Sequence, residues 1–147
     1  MYREEVQQLI EKGREALASE HEYLAQTCFE KAIRMEWSPV ACSYLAYCRA
    51  KVKGSYREAI LLARKALDAD PGNPVHYGNL GRILLLAGEM VDGIAMLRQG
   101  LQHGEDIDIL KELERLGIRK RPIFKNLPRH HPLNKFPGIL LSRLGMR

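Results

Sequence analysis

The side chains able to react or coordinate are few, and their spacing suits little chemistry. Cys28, Cys42 and Cys48 form an odd, sparse set, neither a disulfide framework nor a CxxC metal pair. Cys42 and Cys48 stand six residues apart on one expected helix and share no face well, so packing thiols are expected. His130 and His131 are neighbours, and in an extended chain neighbours point to opposite sides. With no cysteine or third histidine close by, neither a metal site nor a cofactor is expected. No GxSxG, Walker loop, HExxH or Ser-His-Asp order occurs, and the expectation is a protein that is not an enzyme.

Charge offers a second kind of chemistry, because it is unevenly distributed. The last acid is Glu114, and nine Lys and Arg follow it, at 115, 119, 120, 121, 125, 129, 135, 143 and 147. Residues 1–114 hold 14 basic and all 18 acidic residues, a net of −4. An acidic body with a basic tail implies a contact, within the chain or with something else. Arg119, Lys120, Arg121, Lys125, Arg129 and Lys135, interleaved with Phe124 and Phe136, are the expected tail contacts. Pro122, Pro128, Pro132 and Pro137 preclude a continuous helix there. In FPGILLSRLGM, Phe136, Ile139, Leu140 and Leu144 can share the face of a short terminal helix.

Three receivers for the tail stay open. It can fold back on its own body, whose residues 1–36 hold eight acids against five bases. It can lie on an anionic membrane, where each basic residue contributes roughly 1 kcal/mol. It can bind nucleic acid, although no nucleic-acid-binding signature accompanies the charge. No apolar run approaches the length of a membrane span, and MYREEVQQLIEKG carries acids where a secretory signal would be basic and then apolar. A cytoplasmic location is expected.

Whatever the charges do, the 147 residues must position them on a single ordinary domain whose core is poor in aromatics, at 7%. A repeat supplies the frame. Ala25, Ala59 and Gly93 are spaced by 34 residues, as are Ala32, Ala66 and Gly100. Phe29, Ala63 and Leu97 share that spacing, and so do Gly13, Tyr47 and Gly81. Each unit reads as two helices. Ser38 with Pro39, and Asn73 with Pro74, are N-cap and first-turn pairs. Gly54 and Gly88 break the middle of units two and three, whereas Glu20 holds that place in unit one. Ser55 and Glu58 have the spacing of a capping box. Glu105 to Leu116 reads as a capping helix, with Ile107, Leu110, Leu113 and Leu116 as its apolar stripe.

The stretches YREAILLARKALDADPGNP and VHYGNLGRILLLAGEMVDGIAMLRQGL, with EYLAQTCFEKAI in unit one, resemble tetratricopeptide repeats. The resemblance covers about residues 5–106. It implies an all-α, right-handed solenoid of three helix pairs, over about residues 3–38, 39–72 and 73–105. A capping helix at 106–117 and a basic extension at 118–147 would follow. The departures are Trp37 for the usual proline, Gly93 and Gly100 for alanines, and Tyr47 at a site normally Gly or Ala.

The resemblance also implies a concave groove lined by the first helix of each unit. Through the 34-residue register its residues are Gln7, Ile10 and Arg14; Tyr44, Cys48 and Lys51; and Val75, Asn79 and Arg82. Such a lining would hold a peptide of a partner protein. Asn79 would bond its backbone, and Arg14, Lys51 and Arg82 would take carboxylates. The carboxylate-clamp subset of the family is matched only in part. Asn79 stands at an amide position, while Glu11, Leu45 and Val75 depart from the pattern. An interaction adaptor is the function these features imply.

Overall fold

The computed structural model describes residues 2–118. Among the described residues there are seven helices and no strand: α1 (Tyr2–Ala18), α2 (Glu22–Met35), α3 (Pro39–Lys53), α4 (Tyr56–Ala69), α5 (Pro74–Leu86), α6 (Met90–Leu101) and α7 (Ile107–Arg115). Packing divides the chain into two units, with the boundary between Leu110 and Lys111. In the first, α1 packs on α2, α3 on α4 and α5 on α6, and α3 also meets α2 and α5. Of the second, residues 111–118 are described. Gly117, at φ +71°, closes the end of α7, and the Ile118 amide donates to the Leu113 carbonyl at 3.0 Å.

The helix ends follow local chemistry. Ser38 Oγ accepts from the Ala41 amide at 3.4 Å and Asn73 Oδ1 from the Val75 amide at 3.1 Å, each ahead of a proline. Asp106 Oδ1 accepts from the Asp108 and Ile109 amides at 2.9 and 3.0 Å and caps α7. The capping box expected at Ser55 does not form. Its backbone stands at φ −80°, ψ 65° rather than extended, and its side chain makes no cap hydrogen bond. Between α1 and α2, Glu20 adopts φ +61°, the left-handed turn that Gly54 and Gly88 adopt at +65° and +85°. Among the described residues it is the one non-glycine at positive φ, a conformation that costs an L-residue about 1–2 kcal/mol.

Two apolar clusters carry the first unit. The first joins Val6, Ile10, Phe29, Tyr44 and Cys48 with small residues between them. The second joins Ala46, Ala50, Ala59 and Ala63 to Leu80, Ile83 and Leu84. The register explains how bulk is distributed. A Cβ on Gly13 would lie 2.6 Å from the Phe29 ring, and one on Gly81 2.8 Å from Leu97. In unit two the sizes are exchanged, with Tyr47 on the first helix and Ala63 on the second. Tyr47 packs, half-buried, against the cluster that holds Ala63. The two glycines that replace alanines are likewise positions without room. A Gly93 Cβ would lie 3.0 Å from the Gly81 carbonyl oxygen, and a Gly100 Cβ 2.7 Å from Ile109 and 2.8 Å from Tyr77.

The stripe expected on α7 is corrected at its start. Ile107 is 59% exposed, while Ile109 is fully buried and reaches Gly78 and Gly100. At the junction of units two and three, Asp70 gathers the chain. Its Oδ2 accepts from Asn73 at 3.2 Å and meets Nε2 of the fully buried His76 at 3.0 Å, while the Tyr77 hydroxyl donates to the Pro71 carbonyl.

Candidate functional site

A half-open cleft of about 270 Å³ lies across the first helices of the three units. From α1 come Glu11, Arg14 and Glu15, with Leu17 and Ala18 as an apolar margin. Tyr44, Tyr47 and Lys51 come from α3, Arg82 from α5, and Asp108 from the first turn of α7.

Tyr47 is the centre of the cation chemistry. The Arg82 guanidinium lies 4.0 Å from its ring centroid and the Lys51 ammonium 5.7 Å. Arg82 Nη2 also donates to Asn79 Oδ1, while Asn79 Nδ2 donates to Ser43 Oγ at 2.9 Å. Arg82 is thus held from two sides, on a ring and on a buried amide, and its Nε is buried without a hydrogen-bond partner. Lys51 Nζ pairs with Glu22 Oε1 at 3.1 Å. Burial opposes the Lys51 charge, but the Glu22 hydrogen bond and the nearby Tyr47 and Glu22 charges outweigh it and raise its pKa. Glu22 is held low, first by a backbone hydrogen bond and then by Lys51. Arg14 Nη1 pairs with Glu11 Oε2 at 3.4 Å and lies over Tyr44, 5.8 Å from the centroid. Burial pushes the Tyr44 phenol up; its ring stacks on Phe29 at 5.2 Å.

Of the nine groove residues expected from the register, Arg14, Tyr44, Lys51 and Arg82 border this cleft. The others do not. Cys48 is fully buried and Ile10 nearly so, both within the first apolar cluster. Burial raises the Cys48 thiol to about 12, so it stays protonated and unreactive. Asn79 is 1% exposed and already committed to Ser43 and Arg82, so it has no amide to offer a peptide. Val75 packs half-buried against the first cluster, and Gln7 is exposed on α1 away from the cleft. Of the three cations expected to take carboxylates, Arg14 and Lys51 each already pair with a carboxylate of this chain. Register reasoning missed Glu15, Tyr47 and Asp108. The readable signal was that α3 and α5 are apolar on most sides, with eight buried residues each, which leaves little room for a wide polar stripe.

The expected tail contacts, Arg119, Lys120, Arg121, Phe124, Lys125, Arg129, Lys135 and Phe136, lie outside the described residues, as do His130 and His131. Among the described residues no group of three His, Cys, Asp or Glu is placed to hold a metal, and no helix is long and apolar enough to cross a membrane.

Comparison with known proteins fits this geometry. Residues 53–112 match the tetratricopeptide repeat family. The Sgt2 TPR domain of Aspergillus fumigatus is similar in structure, with a TM-score of 0.56 at 16% identity over 89% of this chain and 93% of that one. Yeast Tom70 is similar at a TM-score of 0.52 and 20% identity over 98% of this chain, which spans 35% of Tom70. Two helices per unit, a register of 34 residues, small residues at the crossings and these likenesses agree: residues 53–112 match tetratricopeptide repeats, and the described residues fold as an α-solenoid of the kind such repeats form.

Proposed function

We propose that this protein is a non-catalytic interaction adaptor that binds a peptide segment of a partner protein in the cleft across α1, α3 and α5. One observation carries this reading. Three successive first helices converge on an open cleft in which an arginine is fixed in place by a ring and a buried amide and carries no ion-pair partner among the described residues. Repeat solenoids use such concave surfaces for binding. Orienting Arg82 beforehand reduces the entropy that a peptide carboxylate would otherwise lose on binding.

The test is selection of random peptides on the full chain and on Ala18→Trp, a change at an exposed cleft margin that fills the opening. The full chain should enrich peptides and the plugged variant should not. Equal enrichment by both would put binding elsewhere and overturn the cleft.

The basic tail is proposed to dock on the repeats, on the strength of the charge split between residues 1–114 and the remainder. Amide exchange of the full chain against a truncation ending at Gly117 tests it, and unchanged exchange in the repeats would count against docking. The eight cations of residues 118–147 also suit an anionic membrane or nucleic acid, and a cytoplasmic location fits either. Steeply salt-dependent cosedimentation with anionic liposomes, or retention of nucleic acid, would favour that alternative.

A further inference from the structure

The charges around the cleft are not equivalent, and sorting them by partner narrows the ligand. Six ionisable groups of the Asp, Glu, Lys and Arg types line it. Arg14 and Glu11 neutralise each other at 3.4 Å. Lys51 is neutralised by Glu22, which lies behind it on α2. Three remain: Arg82, Glu15 and Asp108. Among the described residues none of these three has an oppositely charged group within ion-pair distance. Arg82 is anchored through Nη2 and by its stack on Tyr47, yet its Nε is buried without an acceptor. Asp108 stands in the first turn of α7.

A purely acidic segment would satisfy Arg82 and meet repulsion from Glu15 and Asp108. A purely basic one would do the reverse. A neutral segment would leave all three without a counter-charge as water is excluded, which is unfavourable for each. On the reading that the cleft binds a peptide, we infer that its ligand is a mixed-charge segment. It places an Asp or Glu on Arg82, a Lys or Arg on Glu15 and Asp108, and an apolar side chain against Leu17 and Ala18. Arg82 fixes direction, because its guanidinium is held in place by Tyr47 and Asn79, whereas Glu15 is an exposed side chain with no such anchor. Reversing the order of the two charges along the ligand should therefore weaken it.

The experiment repeats the random-peptide selection with the full-length chain, Arg82→Gln, and the double variant Glu15→Gln with Asp108→Asn. Circular dichroism melts first establish that the variants fold. From the parent chain, enriched peptides should carry an acid and a base a few residues apart. Arg82→Gln should lower the frequency of Asp and Glu about fivefold and leave Lys and Arg. The double variant should do the opposite. Enriched peptides that are acidic only, or whose charges ignore these substitutions, sink the mixed-charge inference while peptide binding stands. No enrichment by the parent chain sinks peptide binding and this inference with it.

Discussion

Gly81 and Gly93 face one another where α5 crosses α6, and a Cβ built on either would lie 3.0 Å from the other's carbonyl oxygen. The neighbours close in further, since the Gly81 Cβ would also meet buried Leu97 at 2.8 Å. Backbone cannot swing aside as a side-chain tip can. Gly81→Ala should therefore lower stability by about 1–3 kcal/mol, in spite of a helix-propensity gain of about 1 kcal/mol. Urea denaturation measures this, with Gly72→Ala as the comparison because nothing lies within 4 Å of its added methyl.

Glu20 should behave in the opposite way. Its side chain is exposed and its φ is +61°, so Glu20→Gly removes strain at a turn that loses no packing. A gain of about 1 kcal/mol is expected, offset in part by the greater freedom of glycine in the unfolded chain. The thermal midpoint of the variant should rise by a few degrees, and a fall would contradict the strain.

The Ser43–Asn79 hydrogen bond ties α3 to α5 inside the stack. Asn79→Ala leaves Ser43 Oγ without its donor and Arg82 without its acceptor, and should cost about 2–3 kcal/mol. Ser43→Ala alone should cost less. In a double-mutant cycle by urea titration the two should couple by about 1 kcal/mol, and strict additivity would deny the bond an energetic role.

Acid should weaken the junction between units two and three. The His76 hydrogen bond, and then the one from Asn73, hold the Asp70 carboxyl below its ordinary value of 3.8, against the opposing effect of burial. A group whose folded pKa is depressed contributes stability above its unfolded pKa and loses it as pH falls through the folded one. Wild type should therefore exceed Asp70→Asn in urea midpoint near neutrality. That advantage should shrink as pH drops below 3.8, and a gap that stays constant would remove Asp70 as its source. Asp70 is 42% exposed, so the effect should be modest and weaker in high salt.

The thiols give a test of packing. Cys28, Cys42 and Cys48 are free and buried, and burial raises the last two above the ordinary range. None should react with a disulfide reagent at mildly alkaline pH in the folded protein, and all three should react in urea. A fast-reacting native thiol would mean local opening around α3.

The boundaries of the helices were legible because their causes are local. Pro39, Pro74, Gly54 and Gly88 act within a turn, and the 34-residue register carried small residues to the right crossings. The wall of the cleft was legible only in part. The register gave 44, 48 and 51 on α3, whereas the cleft takes Tyr44, Tyr47 and Lys51. One residue is a rotation of about 100° on a helix, enough to move a side chain from groove to core. Which face turns inward depends on four neighbouring helices, and no local pattern in ACSYLAYCRA encodes that. Ser55 failed for a related reason, since it is the centre of a tight turn in which the Tyr56 amide donates to the Gly54 carbonyl at 2.9 Å, which holds its backbone away from the extended cap conformation.

The exchange of bulk in unit two has a bearing on how such a chain can vary. Units one and three place glycine on the first helix against Phe29 or Leu97 on the second, whereas unit two places Tyr47 on the first helix and Ala63 on the second. Making unit two like its neighbours would need both residues to change. Shrinking Tyr47 first opens a void and strips Arg82 of its ring; enlarging Ala63 first overfills a closed space. Neither order passes through a well-packed intermediate. Unit two is therefore keyed differently from the units on either side of it, and no single substitution makes it interchangeable with them.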